Sequence, residues 1–262
     1  MSTAALPFRR VTPQSAVLLG IACLAWLGTV IEARQMGVMP GTMGLGLPAF
    51  LVVWTPMMAA MMLPAVAPLA SMYSRSVTAR RPLRLGGFAG GYLLIWALAG
   101  LPAFGLALLA GRLADGHPIA ATAAASATFA ACGVYQLSPL KHRCLRHCRS
   151  PLVFLLRYGS YRGTLRDLRA GVHHGAYCLG CCWSLFALLI TVGVMNVPAM
   201  VALAAVVIVE KRWSGGEAFS RAVGVAAIAL ALAVIWFPEL APGLHGGMGT
   251  DTPHMSMETP HM

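Results

Sequence analysis

Charge is scarce in this sequence. Only 10% of its 262 residues are Asp, Glu, Lys or Arg, and 58% are hydrophobic. A soluble domain carries about 25% charged residues, so a water-soluble globule is excluded. A nucleotide-binding motif, a helix-borne HExxH and a nucleophile paired with a base are all missing. Nothing therefore argues for an enzyme. The net charge of +11 is not a nucleic-acid signature here, because a basic excess in a membrane protein reports orientation. No nucleic-acid partner is expected.

What the chain does have is long apolar runs. A membrane-crossing helix needs about 20 mostly apolar residues for a ~30 Å hydrocarbon core. Seven spans are read: Gln14 to Ala33, Leu47 to Met72, Leu85 to Leu113, Ile119 to Leu137, Val172 to Met195, Val197 to Val209 and Glu217 to Trp236. The sixth is short and reaches across only with its flanks. The first is not a cleavable signal peptide, since its apolar region is long and no small-residue cleavage site follows. The expected fold is all-α, a polytopic transmembrane helix bundle of about seven spans, with the lipid bilayer as its first partner.

The basic residues orient it. With the N-terminus inside, 17 of the 19 Lys and Arg fall in cytoplasmic segments, and only Arg34 and Arg112 fall outside. Cytoplasmic loops favour Lys and Arg. The chain then divides into a cytoplasmic N-tail (1–13), a helical domain (14–238) with a basic cytoplasmic loop (138–171), and an extracytoplasmic tail (239–262). In that loop, Arg157 to Arg169 reads as a basic helix at an anionic lipid surface.

The tail ends HGGMGTDTPHMSMETPHM, with His245, Met248, His254, Met255, Met257, His261 and Met262. A composition so rich in Gly, Pro, Ser and Thr builds no core, so disorder is expected and its methionines are not buried filler. Thioether sulfur favours Cu(I), and imidazole suits copper, zinc and nickel. His and Met without Cys fit copper in an oxidising compartment. Met36, Met39 and Met43 in the first outer loop add to this weakly.

Five of the seven cysteines cluster. The basic loop holds KHRCLRHCR with Cys144 and Cys148, and the fifth span opens GVHHGAYCLGCCW with Cys178, Cys181 and Cys182. Cys23 and Cys132 stand alone in apolar spans and read as small buried residues. Cytoplasmic thiols stay reduced, so metal or redox chemistry is favoured over a structural disulfide. His174, Cys178 and Cys181 fall at i, i+4 and i+7 on one helical stripe, with Cys182 at its edge and His173 pointing elsewhere. Two thiolates and an imidazole make a partial site for Cu(I) or Zn(II). The plainer reading is close helix packing by small residues, as Gly171, Gly175 and Gly180 suggest.

In the second span, PMMAAMMLP places Met57, Met58, Met61 and Met62 on one broad face between Pro56 and Pro64. Methionine is good adaptable filler in a bilayer, but prolines free backbone carbonyls that a neighbour or a cavity must satisfy. At 1.5 Å per residue, Cys181 and the Met61–Met62 pair each lie roughly 4 Å to the cytoplasmic side of their span centres. The two groups can therefore share one depth. Gly86 with Gly90 and Gly87 with Gly91 read as helix-packing pairs. Gln136 reads as a hydrogen-bonding partner of a neighbour, and Glu210 as an interfacial partner of Lys211 or Arg221.

PMMAAMMLP, YQLSPLKHRCLRHCRSP (Tyr135 to Pro151), HHGAYCLGCCW (His173 to Trp183), VGVMN and the Glu210–Lys211 pair together carry a resemblance. Over Leu47 to Arg212 the chain resembles the bacterial family of predicted metal-binding integral membrane proteins of unknown function. The resemblance implies metal binding and a place in a bacterial inner membrane, and supplies no catalytic residues. The leading expectation is a copper-handling membrane protein. Its tail collects Cu(I), its methionine face receives it, and its Cys/His stripe holds it or passes it to Cys144 and Cys148. That serves uptake or delivery, with a periplasmic copper chaperone or a copper enzyme under assembly as partner. A thiol-redox or metal-sensing protein and a structural subunit without metal are the alternatives.

The basic split makes a topology prediction. A reporter fused after Met262 is expected to behave as extracytoplasmic and one inserted near Arg162 as cytoplasmic, and two reporters on the same side would overturn the arrangement.

Overall fold

A computed structural model describes residues 13–36, 40–75, 80–150 and 156–245. Eight helices longer than one turn carry the described fold: α1 (Pro13–Met36), α2 (Leu47–Arg75), α3 (Arg81–Ala114), α4 (Pro118–Leu137), α5 (Pro139–Arg149), α6 (Arg166–Val192), α7 (Val197–Arg212) and α8 (Gly216–Trp236). A 3₁₀ turn (Pro238–Leu240) and the one-turn α9 (Pro242–His245) follow. No strand occurs among the described residues. The all-α helical bundle expected from the sequence is therefore what forms.

Six helices, α1 to α4, α6 and α8, are long and apolar enough to cross a membrane, which fits a multi-pass membrane protein. Their outer faces carry Leu24, Val52, Ile119 and Trp236, each more than 70% exposed, as a bilayer-facing surface requires. The sixth expected span, α7, has 16 residues. At 1.5 Å per residue that is about 24 Å, short of a ~30 Å core. Its inward stripe of Met200, Ala204, Val207 and Glu210 is fully or nearly buried.

Burial is uneven. In α2 and α6, 61% of the apolar window is buried, against 22–28% in the other four spanning helices. The two helices that bear the methionine and cysteine motifs are thus the central ones. α6 packs most closely on α3 through facing glycines. A Cβ on Gly171 would collide with the Phe88 carbonyl, and one on Gly91 with the Leu168 carbonyl. Of the expected glycine pairs, Gly87 and Gly91 make this contact, whereas Gly86 and Gly90 meet open space. α4 lies on α8 in the same manner, Gly133 against the Gly224 carbonyl.

Parts of the sequence reading change. Cys23 is exposed on the apolar surface rather than buried, while Cys132 is buried. The chain over Arg157–Arg169 is not one helix, because α6 starts only at Arg166 and the backbone turns at 160–165. KHRCLRHCR is itself helical: Pro139 opens α5, and the Ser138 side chain caps it by accepting from the Lys141 N–H at 3.2 Å. Beyond residue 239, Ala241 and Leu244 are buried and Gly243 lies against the end of α6, so the packed chain extends through α9.

Glu210 does not pair with Lys211 or Arg221. Its partner is Lys141, at 2.7 Å with both side chains fully buried. Gln136 donates to the other Glu210 oxygen at 3.0 Å, and Lys141 also donates to the Cys181 carbonyl at 2.5 Å. Three helices besides α5 meet at this ammonium and carboxylate. Removing one partner of a buried pair strands the other charge, at a cost of about 3–5 kcal/mol. Lys141→Ala is expected to lower the thermal midpoint of the solubilised protein sharply, and Lys141→Met with Glu210→Leu to restore most of it. Equal losses in the single and double variants would show that the pair does not act as a unit.

Candidate metal centre

The sulfur atoms of α5 and α6 meet. α5 lies along the middle of α6, from His173 to Cys181, with Cys144 and Cys148 one turn apart as i, i+4 spacing requires. Cys148 Sγ is 3.9 Å from Cys181 Sγ, and Cys181 Sγ is 3.3 Å from Cys182 Sγ. Cys144 Sγ faces the Gly180 backbone, where the missing side chain leaves room for it. Cys178, Cys181 and Cys182 are all fully buried. Two sulfurs bound tetrahedrally at ~2.3 Å to one ion stand about 3.8 Å apart, close to the Cys148–Cys181 separation. Even so, no three His, Cys, Asp or Glu side chains among the described residues already stand as a metal cage. The thiols are gathered but not closed around an ion.

A cation faces them. Lys211 Nζ is 2.9 Å from Cys178 Sγ, and the Tyr92 hydroxyl is 3.0 Å from the same sulfur. An isolated thiolate in apolar surroundings is costly, and the ammonium meets that cost. Burial opposes the charge of Lys141, but Cys182, Glu210 and Cys181 beside it hold its pKa above the usual lysine value. Burial pushes the Cys144 thiol up.

The remaining expected ligands fall as follows. His174 is buried on the cysteine face of α6, its ring 6.2 Å from that of Phe88 and 6.1 Å from that of Tyr92. His173 does point elsewhere, with Nδ1 2.6 Å from the Tyr158 hydroxyl. Met57, Met58, Met61 and Met62 have no exposed surface and belong to the same buried core as the three α6 cysteines. α2 carries them against α1, α3 and α7. His245 ends α9 with its side chain outside the described residues, and His254, Met255, Met257, His261 and Met262 lie wholly outside them.

A family model described as PpoB2, copper chaperone, matches residues 51–234. The chain belongs to this family. No curated protein and no solved structure matches significantly. The PpoB2 match spans every element that builds the thiol cluster, from the methionines of α2 to the lysine of α7, and supports copper handling in general.

Sequence reasoning missed Lys141, Lys211 and Tyr92. One signal was available: adjacent helical residues point about 100° apart, so Glu210 and Lys211 do not face each other and each needs a partner of its own. The geometry also gives a proximity test. Mild oxidation of the metal-free protein is expected to join Cys148 to Cys181, read as a cross-linked peptide by mass spectrometry. Recovery of only cross-links to Cys23 or Cys132 would contradict the docking of α5 on α6.

Proposed function

We propose that the chain is a membrane copper chaperone that carries Cu(I) on thiolates of Cys148, Cys178, Cys181 and Cys182 and delivers it to a copper enzyme under assembly. The observation that carries this reading is the meeting of four soft donors from two helices beside the Lys211 ammonium. Thiolates select Cu(I), and ligand thiols must lose their protons to bind. Lys211 favours that loss at Cys178. When two of these four cysteines bind one Cu(I) as thiolates and the others stay protonated, one net negative charge is left, which the Lys211 ammonium matches, so the loaded site remains close to neutral inside the bundle. Zinc suits the same sulfur donors and is the competitor to measure against.

The other elements support movement of the cargo. The neutral methionine face of α2 binds soft metal more weakly than thiolates and suits transit. The His/Met tail offers neutral thioether and imidazole donors, which suit capture and release. Cys144, raised as a thiol at the edge of the cluster, suits a transient contact. A second reading, thiol-redox sensing without metal movement, draws on the 3.3 Å and 3.9 Å sulfur separations.

Competition for Cu(I) against a chromogenic chelator tests the proposal. Cys178→Ser with Cys181→Ser is expected to abolish tight binding while membrane insertion persists, and Cys23→Ser to change nothing. Met61→Leu with Met62→Leu is expected to have a smaller effect. Lys211→Met is expected to weaken binding roughly 10–100-fold, the range seen when groups that support metal ligands are removed. Parental affinity in the double cysteine variant would sink the metal reading. Copper-independent change in the cysteine redox state would favour the sensor instead.

A further inference from the structure

A second donor group lies beside the thiols. His147 comes from α5 and His173 from α6, and each turns a ring nitrogen to the Tyr158 hydroxyl, His173 Nδ1 at 2.6 Å and His147 Nε2 at 3.4 Å. One phenol proton can be donated to one imidazole only, so the other imidazole donates its N–H to the phenol oxygen. Tyr177 fixes the rings: it stacks on His147 with centroids 3.8 Å apart and meets His173 edge-on at 5.2 Å. A neutral imidazole keeps one ring nitrogen lone pair for an ion.

Position distinguishes this group from the thiol cluster. Both imidazoles are half-buried, whereas the α6 thiols are sealed. His147 adjoins Cys148 in sequence, and Cys148 lies 3.9 Å from Cys181. The group therefore sits between the surface and the thiols. The two imidazole rings stand 6.2 Å apart, centroid to centroid, and both turn a nitrogen toward the one place that the Tyr158 hydroxyl fills. Withdrawal of that hydroxyl leaves the two nitrogens facing a common point.

We propose that His147 and His173, positioned by Tyr158, form a second Cu(I) site that exchanges the ion with Cys148. This exchange, though not the histidine site itself, rests on the thiol-cluster reading above. In the transfer the Cu–S bond to Cys148 forms as the Cu–N bond to His147 breaks. The Cys148 thiol proton passes to the imidazole nitrogen released. Copper stays Cu(I) throughout, so no oxidant or reductant enters. Imidazole suits copper but holds Cu(I) less firmly than thiolate does, which gives the exchange its direction.

The test uses the full-length protein in detergent, without oxygen, with Cu(I) presented as its bicinchoninate complex. His147→Gln with His173→Gln is expected to leave the equilibrium affinity of the thiol cluster unchanged and to slow its loading roughly tenfold, within the range for lost metal-supporting groups. Tyr158→Phe keeps the ring and is expected to slow loading less. In a second background, Cys148, Cys178, Cys181, Cys182 and the tail residues His245, His254 and His261 are all changed to Ser. X-ray absorption there is expected to show nitrogen-bound copper that disappears when His147→Gln and His173→Gln are added. An unchanged loading rate in the first experiment, or an unchanged nitrogen signal in the second, overturns the proposal. The first keeps every cysteine and stands even where the multiple-Ser chain fails to fold. Absence of thiolate-bound copper in the parent would instead fell the function proposed above, while the nitrogen signal would still decide the histidine pair.

Discussion

Lys141 and Glu210 have both left water completely, and an ion in an apolar medium costs several kcal/mol unless another charge meets it. That requirement organises one end of the bundle. The Lys141 ammonium satisfies Glu210 of α7 and the Cys181 carbonyl of α6 at once, and Gln136 of α4 completes the carboxylate. α5 is thereby held against α6 with its cysteines inward. The same end contains a second junction, in which Tyr73 of α2 donates to Asp167 of α6 while Arg84 of α3 pairs with that carboxylate at 2.9 Å. The thiol cluster sits in the region these two junctions fix. Lys211 Nζ stands 2.9 Å from Cys178 Sγ, so the cluster borders buried charge on this side as well.

Packing sets the rest of the geometry. Gly171 and Gly175 let α6 approach α3 until backbones touch. This brings Tyr92 to Cys178 and sets the ring of His174 against those of Phe88 and Tyr92. The glycines around CLGCCW are therefore packing residues, as the plainer reading held, and that packing does not compete with chemistry. Gly180 has a further role, since its missing side chain is the space that Cys144 faces.

The helices were legible because hydrophobic length and period are local properties of sequence. The stripe of His174, Cys178 and Cys181 was legible for the same reason, and all three are buried together. α5 carried a readable start in Ser138 and Pro139, but six basic residues nearby made the segment look like solvated loop. That Lys141 is wholly buried depends on Glu210, 69 positions away, and no local pattern encodes it. The centrality of α2 and α6 was equally hidden, since all six spans are apolar and only tertiary packing ranks them. Cys23 and Cys132 show the same limit: each is a lone cysteine in an apolar span, yet one faces outward and the other inward.

The thiol cluster is assembled from pieces far apart in the order of synthesis. Cys144 and Cys148 emerge from the ribosome first, Cys178 to Cys182 some thirty residues later, and Glu210 and Lys211 last. Until α7 arrives, Lys141 has no counter-ion and Cys178 no cation beside it, so α5 has little reason to dock. A half-made chain thus presents scattered thiols rather than a collected set. Completion of the last helices thus decides whether these thiols are gathered at all.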